Sequence, residues 1–221
     1  MSAPTSPVVI AIDGPAASGK GTLARRLAEQ FGLAHLDTGK IYRATALAVL
    51  DAGGDPYDAP TSEAAAKTLD LVSLADRRLN GDEVARAASI VAAIPAVRAA
   101  LLQFQRGFAR HPPGGAKGAV LDGRDIGTVV CPDAPLKLFV TASVESRAKR
   151  RVKELRERGA EAIYETVLEG MKERDARDSE RRAAPLAAAP DAVTIDTTSL
   201  DADQVFEQAS KLIARLLAAR R

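Results

Sequence analysis

Short apolar runs alternate with longer amphipathic stretches along this chain of 221 residues. Val8–Ile12 is a β-branched run of the kind found in strands buried on both faces. A glycine-rich turn follows, and Leu23, Leu27 and Phe31 then recur at helical spacing, which predicts a helix from about Lys20 to Phe31. A second helix is expected from Gly39 to about Leu50, and Gly53, Gly54, Pro56 and Pro60 mark a loop after it. Residues 62 to about 110 are alanine-rich and helical in pattern, broken at Asn80-Gly81 and at Pro95, and the sequence from His111 to Gly115 is a strong break. Ala119–Leu121 and Leu136–Val140 read as strands. The charged stretch from Ser143 to Arg182 reads as helices interrupted near Gly159, Val193–Ile195 as a further strand, and Asp201–Ala219 as a closing helix. Strands alternating with helices predict an α/β fold around a parallel sheet. The nearly strandless block at about 55–115 reads as a helical insertion into a single domain spanning 1–221, and no internal repeat interrupts this pattern.

Composition narrows the class. At 46% apolar and 27% charged residues the chain has ordinary globular usage, which excludes a disordered or collagen-like protein. Lys plus Arg is 31 against 29 Asp plus Glu, a net charge of +2, which argues against a general nucleic-acid binder. One cysteine, Cys131, excludes an intramolecular disulfide and fits a reducing compartment. The N-terminus lacks a basic run, Val8–Ile12 is too short for a signal segment, and no stretch approaches the ~18 apolar residues of a membrane span. The expectation is a cytoplasmic protein with no membrane partner, and a monomer. Arginine outnumbers lysine 22 to 9, which either reflects base composition or supplies bidentate phosphate ligands. Individual positions must decide.

The strongest local signal comprises Gly14, Pro15, Ala16, Ala17, Ser18, Gly19, Lys20, Gly21 and Thr22, placed between a predicted strand and a predicted helix as a P-loop must be. Gly14 and Gly19 permit backbone shapes that β-carbons block. Inward N–H groups then form an anion nest, the helix points its positive end at the same spot, and Lys20 adds a cation for the outer phosphates. Gly21 stands where many P-loops place the hydroxyl that touches Mg²⁺, and the hydroxyl comes one residue later at Thr22. Mg²⁺ is therefore expected to be held mainly by the phosphates of ATP and by water.

Three clusters suggest an anionic acceptor. In the first, Leu36-Asp37-Thr38 leads from a strand end into a helix, where Asp37 or Thr38 either caps the helix or meets a ligand. Arg43 lies one turn on, near that helix's positive end. In the second, a strand ends in Asp122-Gly123-Arg124-Asp125, and ligands of open α/β sheets sit at the carboxyl ends of strands. The third is the charged stretch. Arg147, Arg150 and Arg151 share a helix face, with Glu154 and Glu157 within pairing distance. Arg174, Arg177, Asp178 and Arg181 form a second stripe at i, i+3, i+4 and i+7.

Taken together, Gly14–Thr22, Leu36-Asp-Thr-Gly with Tyr42-Arg43, the run Asp122-Gly-Arg-Asp-Ile-Gly-Thr-Val-Val-Cys-Pro-Asp-Ala134, Arg174-Asp with Arg177-Asp178, Arg181 and Ala184-Pro-Leu186, and Ile195-Asp-Thr-Thr198 closely resemble the bacterial cytidylate kinase family, from about residue 8 to 210. The Gly-Lys-Gly-Thr variant of the loop is itself characteristic of small-molecule and nucleoside monophosphate kinases. The resemblance implies a P-loop nucleoside monophosphate kinase fold: a five-stranded parallel sheet wrapped by helices, with a monophosphate-binding insertion at about 55–115 and a lid at about 147–165. It implies transfer of the γ-phosphoryl group of ATP, with Mg²⁺, to CMP or dCMP. It also implies that Thr38, Arg43, Ser89, Arg98, Arg124, Asp178 and Arg181 contact the acceptor. Among these, Arg43, Arg124 and Arg181 lie near its phosphate, and Ser89, Arg98 and Asp178 near its base or sugar. Asp37, Asp125 and Arg174 are counted with them by position. Two departures stand out: residues 70–85 look too short for the small sheet the family's insertion often holds, and Lys40 replaces a small residue.

The chemistry expected is electrostatic. A phosphate monoester's second pKa is ~6, so the acceptor oxygen is already ionised at neutral pH and no general base is required. His35 and His111 are accordingly read as structural or solvent-facing. Lys20, Arg124, Arg181 and a lid arginine, Arg147 or Arg151, would stabilise the transferring group, while lid closure excludes water. Two other readings remain: a P-loop kinase for another monophosphate or a small alcohol, which an acceptor panel would separate, and a nucleotide-operated switch, which the absence of an Asn-Lys-x-Asp run disfavours.

Overall fold

The computed structural model describes residues 7–69, 71–181 and 184–219. Residues 1–6, on which part of the localisation expectation rests, lie outside the described residues, as does Arg182 at the end of the charged stretch.

Five parallel strands form one sheet: β1 (Val8–Asp13), β2 (Ala34–Asp37), β3 (Gly118–Gly123), β4 (Leu136–Thr141) and β5 (Val193–Asp196), in the order β2-β3-β1-β4-β5. The helices are α1 (Lys20–Phe31), α2 (Thr38–Asp51), α3 (Ala59–Lys67), α4 (Asp82–Val91), α5 (Pro95–Arg110), α6 (Val144–Glu157), α7 (Tyr164–Glu180) and α8 (Ala202–Ala219). The fold is the predicted α/β class. No single described helix is long and apolar enough to cross a membrane.

Alternation along the strands sends side chains to two cores. Val8, Ile10 and Ile12 of β1 and Val120 of β3 pack on Leu23 and Leu27 of α1 and Val205 and Ile213 of α8. Ala11, Ala119 and Leu121 face Ile41 of α2, Val91 of α4 and Val97 and Leu101 of α5. Burial on both faces is why these strands read as continuous apolar runs.

Residues 55–115 are helical, as expected, and no strand occurs among their described residues. Two short 3₁₀ turns, Leu71–Ala75 and Arg77–Asn80, precede the break at Gly81, and Pro95 opens α5 at a position where its missing N–H costs nothing. Helix α2 starts one residue earlier than the pattern predicts, at Thr38. The apolar run after β3 is a single π-helical turn, Ile126–Val130, which periodicity does not reveal.

Candidate active site

β1 is the central strand, with β3 on one side and β4 on the other, so the loop after β1 sits at the sheet's carboxyl edge. The two loop glycines are required for different reasons. At Gly14, itself at φ 152°, a β-carbon would stand 2.0 Å from the carbonyl oxygen of Val140 in β4, whereas Gly19 has open space around it and only its left-handed φ of 90° calls for glycine. Ala17 is left-handed as well, at φ 57°, a strain no sequence signal marks.

Donors from outside and inside the loop occupy its carbonyls. Lys20 Nζ donates to Pro15 O at 3.2 Å, Arg147 to Ala16 O at 3.3 Å, and the Thr197 hydroxyl to Ser18 O at 3.1 Å. With those acceptors engaged, what the loop and the uncapped start of α1 offer a ligand is N–H. Burial, and then the neighbouring Arg124, lower the pKa of Lys20 to about 7, against the pull of Asp122 and Asp37.

Asp13, which sequence reasoning missed, closes β1. Its two oxygens accept from the N–H groups of Ile126 and Gly127, each at 2.7 Å, fastening the π turn to the central strand. Burial raises its carboxyl to about 6, although both N–H bonds oppose the shift.

The predicted acceptor residues converge beside the loop. Asp37 caps α2, accepting from Lys40 N at 3.2 Å, and Thr38 donates to Asp122 O at 2.8 Å. Arg124 donates to Asp178 at 2.9 Å; burial pushes that carboxyl up, but Arg124 and Arg174 outweigh it and hold it below the usual range. Arg98 pairs with Asp125, whose carboxyl burial raises despite Arg98, and lies over the Tyr42 ring. Arg181 donates to Ala184 O at 2.5 Å and lies 3.9 Å from Asp125. Ser89 accepts from Arg177 at 3.0 Å, joining α4 to α7.

Arg43 and Arg174 form no ion pair among the described residues. Burial lowers both guanidinium pKa values, Arg174 to about 10, where Arg124 adds repulsion; Arg43 and Arg151 press on Arg174 too. The buried Nε of Arg174 and one terminal nitrogen of Arg181 lack any hydrogen-bond partner among the described residues. Uncompensated buried cations are costly unless a ligand supplies the counter-charge. Asp37 acts on Arg43, Asp178 on Arg174 and Asp125 on Arg181 without closing a hydrogen bond to any of them, so the cluster beside the loop can receive an anion.

The arginine groups follow the local spacing rules only in part: Arg151 does pair with Glu154, three residues on. Arg147 is only 5% exposed; it donates to Ala142 O at 2.9 Å and makes a two-pronged contact with Asp175 at 3.2 and 2.6 Å, already against the loop. Arg151 bonds Asp82 of α4 as well as Glu154, the latter at 3.0 Å. Arg150 does not pair with Glu154: it donates to Thr197 at 2.8 Å, across to the residue after β5. The second stripe is not continuous helix. Arg181 has left α7, which ends at Glu180, for an extended conformation. His111 is exposed at the end of α5, whereas His35 bonds Asp122 at 2.8 Å. Asp122, Asp175, Asp82 and Thr197 are partners that no local spacing could have indicated.

No group of three or more His, Cys, Asp or Glu side chains able to hold a metal occurs among the described residues. The oxygen groups at the start of α1 are the exposed Thr22 hydroxyl and the Asp122 carboxylate, which faces Gly21. This sparse donor set fits an ion whose other ligands are phosphate and water, as Mg²⁺ commonly has.

Residues 10–215 match the model of the cytidylate kinase family. A cytidylate kinase of Rhodospirillum rubrum is 60% identical over 207 residues, covering 94% of this chain and 97% of that protein. Another from Paramagnetospirillum magneticum is 62% identical over 205 residues, 93% and 97% of the two chains. A solved structure, TT1252 from Thermus thermophilus, aligns over 96% of this chain and 99% of its own with a TM-score of 0.50 at 20% identity, and bears on the fold alone.

Proposed function

The chain belongs to the cytidylate kinase family, a family of ATP-dependent nucleoside monophosphate kinases, and on that premise we propose how its site divides the work. The loop Gly14–Thr22 holds ATP. Arg43, Arg124, Arg174 and Arg181 hold the 5′-phosphate of CMP or dCMP, which receives the γ-phosphoryl group to give CDP or dCDP, with ADP as the other product. The observation that supports this assignment is the pair of half-buried guanidiniums without ion pairs among the described residues, Arg43 and Arg174, beside Lys20 and Arg124. One anion in the loop leaves them unneutralised; two anions do not.

The acceptor oxygen attacks as the dianion, since its second pKa is ~6. Lys20, Arg124 and Arg181 stabilise charge spreading over the transferring group, and Arg147 orders the loop carbonyls. Thr22 and Asp122 are the groups that would help hold Mg²⁺, which would supply neutralisation of part of the phosphate charge of ATP. Asp178 gives one oxygen to Arg124, and its carboxylate accepts from the cytosine N4 amino group, which a uracil lacks. Ser89 and Arg98 line the base and sugar side, and Asp37, Thr38 and Asp125 shape its rim. Residues 55–115 form the monophosphate-binding insertion. The segment 147–165, with exposed Gly159, Ala160 and Glu161 between α6 and α7, is the lid. Arg151 moves with it. The enzyme works as a cytoplasmic monomer.

ADP release measured with CMP, dCMP, UMP and AMP tests this reading. Turnover with both cytidine nucleotides and its loss in Lys20→Ala are expected; no phosphoryl transfer to any monophosphate overturns it.

A further inference from the structure

We propose that His35 is a positioning residue for the ATP side of the reaction: its ring ties down one oxygen of Asp122 so that the other stays turned to the start of α1. The reading rests on the function proposed above for its purpose, and on geometry for its substance.

In the parallel pairing of β2 with β3, His35 lies opposite Val120 and Asp37 opposite Asp122. The two-residue period puts His35, Asp37 and Asp122 toward one face of the sheet, the face that α1 covers. His35 reaches diagonally along that face, and its Nε2 lies 2.8 Å from Asp122 Oδ1. An ionised carboxylate only accepts, so Nε2 carries the hydrogen. The other oxygen is placed differently. A β-carbon built on Gly21 would lie 3.6 Å from Asp122 Oδ2, so Oδ2 faces the residue that follows Lys20. Thr38 fixes the backbone carbonyl of the same aspartate at 2.8 Å. Main chain and one carboxylate oxygen are thus both held, and the free oxygen is directed at the place where phosphates and their cation enter. Asp122 is buried and attracts Lys20 electrostatically. Released from His35, its carboxylate can rotate about its side-chain torsions toward the Lys20 ammonium and compete with ATP for it.

The test compares His35→Leu and His35→Gln with the wild-type enzyme. His35→Leu removes the donor, while His35→Gln carries an amide N–H that can reach the same oxygen. Calorimetric titration with ATP at fixed Mg²⁺, without acceptor, reads the ATP side alone. His35→Leu should weaken binding about tenfold, the effect of losing a hydrogen bond to a charged group, and should raise the Mg²⁺ concentration needed for half-maximal binding. KM for CMP should stay within about twofold, because the acceptor groups are untouched, and His35→Gln should recover most of the loss.

Unchanged ATP affinity and Mg²⁺ dependence in His35→Leu, with only a lower melting temperature, overturn the proposal and leave the pair as a clip for the edge strand. Should His35→Leu not fold, His35→Asn serves: its shorter amide cannot reach Oδ1, and wild-type ATP binding in that variant is equally fatal. Wild-type protein that binds ATP in this His35-dependent manner yet transfers nothing to CMP would overturn the acceptor assignment and support this one.

Discussion

Lys20 offers a quantitative test of the phosphate site. Without ligand its ammonium is buried and faces Arg124, and its pKa falls to about 7. ATP brings negative charge to within contact distance and restores the charged form. Binding therefore takes up a proton whenever Lys20 starts neutral. At pH 8 about 90% of the free protein holds neutral Lys20, so ~0.9 proton should be absorbed per ATP, against ~0.1 at pH 6. The apparent Kd scales as one plus the ratio of neutral to charged lysine, so it should rise about fivefold from pH 7 to pH 8 and about ninefold from pH 8 to pH 9. The ATP phosphates do not confuse the result, since their last ionisation, near ~6, is complete by pH 8. The assay is calorimetric titration at pH 8 in buffers of differing ionisation enthalpy, in which the slope of observed enthalpy gives the proton count. Lys20→Gln supplies the control: weaker binding with a slope near zero. A slope near zero in the wild-type protein would refute the reasoning, because it would mean that the ammonium is charged before ATP arrives.

The loop glycines should separate by mechanism. Gly14→Ala must push β4 aside and should cost about 3 kcal/mol, a fall in Tm of roughly 6–12 °C. Gly19→Ala carries only left-handed strain of about 1–2 kcal/mol; equal losses in thermal unfolding would contradict the geometry. Asp178→Ala should lower kcat/KM for CMP by ~100-fold and narrow the gap to UMP; steady-state kinetics showing an unchanged CMP-to-UMP ratio would remove Asp178 from base reading. Arg147→Lys should raise KM for ATP about tenfold despite keeping the charge, because an ammonium cannot engage Ala142, Ala16 and Asp175 together; wild-type kinetics would show that the loop orders itself without it.

What the sequence revealed was local, and what it hid was not. Val8–Ile12 and the loop after it are legible because two-sided burial and tight turns each write a short, dense signature. β2 shows only its end, at Leu36, because four residues with one buried position carry no period. The π turn Ile126–Val130 looks like a strand in composition, and a carboxylate 113 residues away, Asp13, holds its first N–H. Arg43, Arg124 and Arg174 could be nominated from strand ends and helix spacing, whereas the pairing of Arg124 with Asp178, 54 residues away, could not. Arg150 shows why: the i,i+4 rule offers Glu154, worth a few tenths of a kcal/mol at a surface. The structure gives it Thr197 instead, an anchor fixed by the meeting of β5 and the loop. Arg181 fails for a related reason, since spacing assumes a helix that ends one residue too soon.

Charge pairing around the site explains how so many arginines coexist in a chain with a net charge of +2. Arg98, Arg124, Arg147 and Arg151 each have a carboxylate: Asp125, Asp178, Asp175, and Asp82 with Glu154. All but Arg151–Glu154, which lies within α6, join separate parts of the chain, so neutralising an arginine also fixes where it points. Arg43 and Arg174 stand outside this scheme among the described residues, and burial depresses the pKa of both. A bound phosphate therefore has two kinds of arginine to meet. It can neutralise Arg43 and Arg174 without breaking any ion pair. Arg124 gives its Nε to Asp178, the same carboxylate proposed to read the base, and keeps terminal N–H groups for the phosphate. Phosphate capture and base reading thus share one guanidinium–carboxylate contact. A base that draws Asp178 out of place also turns the guanidinium away from the phosphate, which makes discrimination between bases a matter of arginine orientation as well as of fit.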